Sequence, residues 1–270
     1  VKRLVQLPMY DWIELRIAMD ALWSSIHCAL KHQGMTSPEI LDREQTPEVA
    51  WLSPSLLLSQ TCGLPLVQEL RSRVAVLGRF CFEGQQPSGD YHSVIIARDT
   101  TTAENIDSLR GQRVAINHES SYSGYLALKR WMSLMTKGEA VFSRVITTGS
   151  HRASVRAVAA GLADIAAIDC VSWTLAKHFD SITKSLKVIA RTDDRPGLPL
   201  ITAIGSSPCM IDTLRIALDE AIRTLDPTNR DTLGITGFVA ADDVEYDIIA
   251  DDLQQFGTTA LTLDHLADVG

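Results

Sequence analysis

The sequence lacks an excess of basic charge: 33 aspartates and glutamates stand against 25 lysines and arginines, a formal net charge of −8. A nucleic-acid footprint and attachment to an anionic membrane surface both want a basic face, so no nucleic-acid partner is expected, and any anion must be met by local geometry. No apolar run approaches the roughly 20 residues of a membrane-spanning helix. The opening "VKRLVQLPMYDW" is too short in its apolar part for a secretory signal, so either a signal has been removed or none existed. The five cysteines, Cys28, Cys62, Cys81, Cys170 and Cys209, show neither CxxC nor His-paired zinc spacing, which argues against a structural metal. Cys62, in a turn, and Cys81, near a strand end, are the candidate pair for one disulfide. There is no GxSxG nucleophile elbow, no internal repeat and no low-complexity segment, and nothing calls for a cofactor.

What is present is a chain of 270 residues with 46% hydrophobic content, enough for one large domain or two lobes with real cores. "VKRLVQLPMY" reads as a strand. "WIELRIAMDALWSSIHCALKHQG" follows as a helix, with Ile13, Ile17, Leu22, Ile26, Ala29 and Leu30 at helical spacing. Strand and helix then alternate: a strand at Leu56–Leu58 before a helix from about Pro65, strands "RVAVLGRFCFEG" and "YHSVIIARD", strand "RGQRVAIN" before a helix, strand "SRVITT", a helix from Ser150 to about Ala160, strand "DIAAID", helix "VSWTLAKHF" and strand "KVIAR". After strand "ITAIG" comes the long helix "MIDTLRIALDEAIRTL" and an acidic, mostly helical tail. This pattern predicts an α/β fold with parallel sheets and right-handed crossovers. "YHSVIIARDTTT" and "VIARTDDRPGLP" read as two extended crossings, which predicts a discontinuous first lobe of residues 1–97 and 195–270 and a second lobe of 98–194, with a ligand cleft between them.

Ligands of α/β proteins collect where strands hand over to helices, and the unbonded first amides of a helix suit an anion there. Three such turns carry hydroxyl side chains: "SQTCG" from Ser59, "ESSYSG" from Glu119 and "TGSHRAS" from Thr148. Each serine also reads as an ordinary helix cap, and His151 alone as a surface residue at a helix start. Asp169 ends an apolar strand, where a carboxylate is costly unless paired, so it either caps the helix that follows or meets a ligand. With Glu119, it would repel a bare dianion and suit a zwitterion whose amine lies near its anionic group.

The stretches "LLLSQTCGLPL", "ESSYSGYLALK" and, above all, "TGSHRASVRAVAAGLADIAAIDCVSW" resemble the phosphate/phosphite/phosphonate-binding family of ABC-transporter substrate-binding proteins, over nearly the whole chain. The resemblance implies the two-lobe type 2 periplasmic-binding-protein fold and a phosphonate or phosphate group resting on helix N-termini. By position, Ser120, Ser121, Ser123, Ser150 and His151 would hold the oxyanion, Tyr10 and Tyr91 would wall the cleft, and Gln60 and Thr61 would face it from the first lobe. It implies a monomer that binds a small anionic or zwitterionic ligand, serves an ABC-transporter permease, and works in the periplasm if a signal was removed and in the cytoplasm otherwise. Two alternatives stand beside it: a sensory module on the same fold, and a hydrolase with Cys62 as nucleophile, His151 as base and Asp169 as its orienter.

Overall fold

The chain divides into two compact units, Val1–Asp90 with Arg195–Ile248 and Tyr91–Asp194 with Ile249–Gly270. The computed structural model describes residues 3–102 and 106–263, so Val1 and Lys2 of the expected first strand and residues 264–270 of the tail lie outside the described residues. In chain order the strands of the first stretch are β1 (Leu4–Val5), β2 (Leu56–Gln60), β3 (Val74–Phe82) and β4 (Asp90–Tyr91). The middle stretch holds β5 (Ser93–Arg98), β6 (Arg113–Ile116), β7 (Arg144–Thr147), β8 (Ile165–Asp169) and β9 (Leu186–Arg191), and the last stretch β10 (Arg195–Pro196), β11 (Pro199–Ala203) and β12 (Ile235–Ala240). The helices are α1 (Arg16–His32), α2 (Pro47–Trp51), α3 (Gly63–Pro65), α4 (Ala127–Thr136), α5 (His151–Ala159), α6 (Cys170–Phe179), α7 (Pro208–Thr224), α8 (Pro227–Leu233) and α9 (Asp247–Phe256).

The first unit is built on a sheet of order β1-β2-β11-β3-β12, in which β1 and β2 are parallel and every other pairing is antiparallel. The apolar run Leu56, Leu57 and Leu58 of β2 is fully buried, as a strand covered on both faces should be. Helix α1 buries Ala18, Met19, Leu22, Trp23, Ile26, Ala29 and Leu30, a stripe at three- and four-residue spacing. Ile13 and Ile17, expected on that stripe, are 66% and 84% exposed, because the buried face only begins once the helix is under way at Ala18. The second unit carries a sheet of order β7-β6-β8-β5-β9, with β6 parallel to both β7 and β8 and β5 antiparallel to β8 and β9. Strands β4 and β10 form a separate two-stranded sheet.

The sheets are therefore mixed, not parallel throughout. Strands β6, β7, β8 and β9 do share one direction, as crossover connections require, and so do β1, β2 and β3. The reversals are β5, β11 and β12. The first two follow the passages between the units at Asp90/Tyr91 and Asp194/Arg195 with only the two-residue strands β4 and β10 there, so no crossover helix sets their direction.

The division also differs from the one expected from the sequence. "YHSVIIARD" contains a strand, as expected, but Ser93–Arg98 pairs on both sides within the second sheet, so the division falls before it, at Asp90/Tyr91, and not after residue 97. The tail passes to the second unit at Ile249, where Asp252 accepts hydrogen bonds from Tyr122 Oη at 2.6 Å and Arg130 Nε at 3.0 Å, and Lys129 Nζ donates to the Gly257 carbonyl at 2.6 Å. Between the helices of the tail, β12 completes the edge of the first sheet beside β3. None of the five cysteines is in a disulfide: Cys62 opens the α3 turn, and the buried Cys81 thiol points at the Pro87 carbonyl, 3.7 Å away, so the expected disulfide does not form. No helix among the described residues is long and apolar enough to cross a membrane.

Candidate functional site

Three parallel strands, adjacent in the order β7-β6-β8, end on one side of the second sheet, and each hands over to a helix there. Strand β7 leads to Ser150 and α5. Strand β6 leads to Ser121 and a π turn, Tyr122–Leu126, that runs into α4. Strand β8 ends on Asp169, the cap of α6. The parallel pairing of β6 with β7 continues past the strands, because Thr148 and Gly149 donate their amides to the Ile116 and Asn117 carbonyls at 2.9 Å each. Gly149 closes that turn at φ +89°, a conformation side chains rarely adopt.

The side chains converge on His151. Its Nε2 lies 2.9 Å from Ser123 Oγ and 3.3 Å from Asp169 Oδ2. Asp169 does two jobs, for its Oδ1 accepts the Ser172 amide at 2.8 Å and so caps α6. Ser121 Oγ accepts the Gly124 amide at 3.1 Å and lies 3.5 Å from Ser123 Oγ. Ser150 Oγ caps α5 through the Ala153 amide at 3.1 Å. His151 is not the exposed helix-start residue its position implies: its side chain is 12% exposed and that of Asp169 4%. Among the expected residues Ser120 stands apart. It is exposed, and its hydroxyl meets His118 Nδ1 at 2.7 Å; Glu119 beside it is exposed as well. The Ser121 amide is likewise occupied, by the His118 carbonyl at 3.1 Å. First-turn amides such as those of Ser123 and His151 have no intrahelical acceptor, which leaves them suited to an oxyanion.

Several residues of this cluster escaped the sequence reading. Ser93 stands opposite Asp169 in the β5–β8 register; its hydroxyl donates to the Ser123 carbonyl at 2.8 Å, and its amide donates to Thr192 Oγ1 at 2.9 Å. Asn117 Oδ1 is buried without a hydrogen-bond partner among the described residues. It sits where Gly124 leaves room: a Cβ at position 124 would fall 1.9 Å from Asn117 Oδ1 and 3.0 Å from His151 Cε1. Gly124 lies within the π turn, and such widened turns recur at functional sites.

Burial pushes the His151 ring below the usual histidine pKa, against the opposing pull of Asp169 and the Ala167 carbonyl. His92, whose Nδ1 lies 3.4 Å from Asp194, is lowered by burial and by Arg191. Both rings are therefore neutral near pH 7. The unfolded rings take their protons near 6.5 and the folded rings only below it, so acidification favours unfolding. The unfolding free energy is expected to fall as pH drops from about 7 towards about 5, measured by denaturant titration at each pH. His151→Gln should flatten that slope, and a variant with the wild-type slope would show that His151 does not supply it.

In the first unit, β1 and β2 run parallel and lead to Tyr10 and to Gln60 and Thr61. Tyr10 is buried edge-to-face against Phe82, with ring centroids 5.2 Å apart. The Gln60 carbonyl accepts from Trp51 Nε1 at 3.2 Å, whereas its buried Nε2 and the Ser59 hydroxyl find no partner among the described residues. Beyond Thr61 the chain forms α3 and a second π turn, Leu66–Leu70. Tyr91 is buried at the start of the second unit.

The arrangement does not form a catalytic relay. A base oriented by a carboxylate uses both ring nitrogens, one for the nucleophile and one for the acid. Here Ser123 and Asp169 share Nε2. Among the described residues no group of three or more His, Cys, Asp or Glu side chains is placed to hold a metal ion.

A comparison with curated proteins returns no match. Among solved structures, a binding-protein component of an ABC phosphonate transporter from Pseudomonas aeruginosa is 16% identical, with a TM-score of 0.71 over 96% of this chain and 87% of that one. PhnD1 from Prochlorococcus marinus, in complex with methylphosphonate, is 17% identical, with a TM-score of 0.71 over 95% of this chain and 98% of that one. XAC2383 from Xanthomonas citri, bound to ATP, is 19% identical, with a TM-score of 0.72 over 96% and 100%. These likenesses share the fold, the two-lobe type 2 periplasmic-binding-protein architecture. The family model described as "ABC transporter, phosphonate, periplasmic substrate-binding protein" matches residues 57–246. With most of its length matched, this chain belongs to the family of periplasmic substrate-binding proteins of phosphonate ABC transporters.

Proposed function

We propose that this protein captures a small phosphonate- or phosphate-like ligand in the periplasm and presents it, as a monomer, to an ABC-transporter permease. The observation that carries the reading is the meeting of three strand ends on Ser123, His151 and Asp169. In this reading the amides of Ser123 and His151 and the hydroxyls of Ser121, Ser123 and Ser150 hold the oxyanion, which uses the unbonded first turns and the helix dipoles. If the His151 Nε2–H donates to Ser123 Oγ, the Ser123 proton is turned outward toward the ligand. Asp169, beside the same group, disfavours a bare dianion and selects a ligand that carries a proton or a nearby amine. Ser120 takes no direct part. In the first unit, taken by itself, the buried Gln60 Nε2, without a hydrogen-bond partner among the described residues, is the donor most in need of a ligand.

Calorimetric titration with methylphosphonate, an aminoalkylphosphonate, phosphate, phosphite and sulfate tests this. One of the phosphorus oxyanions is expected to bind, and His151→Ala to weaken it by about 1.5–3 kcal/mol. Unchanged affinity in that variant would remove His151 from the site, and binding of none of the anions would overturn the reading.

A further inference from the structure

A groove of about 1250 Å³ opens on the first unit where β2 begins and β11 ends. It lies at the opposite end of that sheet from Gln60 and Thr61, roughly 13 Å away along β2 at 3.3 Å per residue. Its described lining includes two arginines, Arg3 and Arg73, a set of hydroxyls that includes Ser206 and Ser207, and apolar side chains such as Leu52 and Met210, with no carboxylate among them. Elsewhere in this unit arginines hold acids: Arg43 holds Asp11, Arg71 holds Asp247 and Arg215 holds Asp242. Arg3 and Arg73 form no ion pair among the described residues, although the chain carries an excess of eight negative charges. The Arg3 guanidinium lies over the groove, with Nη1 3.7 Å from Met210 Sδ. Leu52 and Ile204 are 51% and 56% exposed there, apolar surface that a ligand would cover.

We propose that this groove is a second binding site, separate from the oxyanion cluster of the other unit, and that it takes an amphipathic organic anion. The head group pairs with Arg3 and Arg73 and with the hydroxyls near the start of α7, where Ser207 is the cap. The body of the ligand covers Leu52, Ile204 and Met210. A purely apolar ligand would leave two guanidinium groups unmatched, and an inorganic anion would leave the apolar floor wet.

The probes are octanoate and its neutral counterpart octanamide, titrated into the intact protein and followed by amide chemical shifts. Octanoate is expected to bind saturably, about tenfold or more tighter than octanamide, with shifts at Ser55, Gly205 and Ser206. The double variant Arg3→Gln, Arg73→Gln should lose about tenfold for octanoate while leaving octanamide and methylphosphonate binding as they were. Equal binding of the two probes, unchanged octanoate affinity in the variant, or shifts confined to other residues would each overturn the proposal. The methylphosphonate arm reports on the other site alone, so failure of one reading is distinguishable from failure of the other.

Discussion

Asp169→Ala is expected to lower the unfolding free energy by about 2–4 kcal/mol, roughly 1 from the lost helix cap and the remainder from the stranded partner. The two oxygens are separately employed, Oδ1 by the Ser172 amide and Oδ2 by His151 Nε2, in surroundings that leave the side chain 4% exposed. Removing the carboxylate leaves the Ser172 amide and His151 Nε2 without it at once. Asp169→Asn keeps an acceptor for the cap and is expected to lose only about half as much, through the weakened contact with His151. Denaturant unfolding of both variants checks this. If the alanine and asparagine proteins match the wild type, Asp169 neither caps α6 nor supports His151.

Gly124→Ala should abolish most ligand binding, by about 3 kcal/mol or more, with a loss of about 1–3 kcal/mol in stability. The added methyl would meet Asn117 Oδ1 at 1.9 Å and Asn117 Cγ at 2.7 Å, so the buried amide must move, and His151 Cε1 at 3.0 Å must give way with it. The ring then leaves the position that brings Nε2 to Ser123 and Asp169. Gly149→Ala is the control. It meets nothing within 4 Å and carries only the strain of φ +89°, so it should cost about 1–2 kcal/mol of stability. If the two variants bind ligand equally well, the cluster tolerates displacement and the account of Gly124 fails.

The hydroxyl-bearing turns were legible in the sequence because serine, glycine and a following apolar helix are local signals, and both Ser150 and Asp169 cap as their positions announce. The run Ser120-Ser121-Tyr122-Ser123 was not resolvable into its members. Which serine faces His151 depends on a π turn that shifts side chains by a fraction of a turn, and Ser120 ends up against His118 instead. Ser93 was invisible for a different reason, since only the antiparallel register of β5 against β8 sets it opposite Asp169. The directions of β5 and β11 were hidden because strand–helix alternation speaks for crossovers, and these two strands are entered without one. The burial of His151 could not be read either, because it depends on the room that Gly124 leaves for Asn117.

The most direct test of the oxyanion site is an amide-resolved NMR titration with the tightest binder of the phosphonate and phosphate panel. The account predicts the largest saturating shifts at the amides of Ser123 and His151, with Gly124 and Ala153 following as their capping hydroxyls are drawn toward the ligand. Saturable binding that leaves those four amides unmoved while shifting others would contradict it.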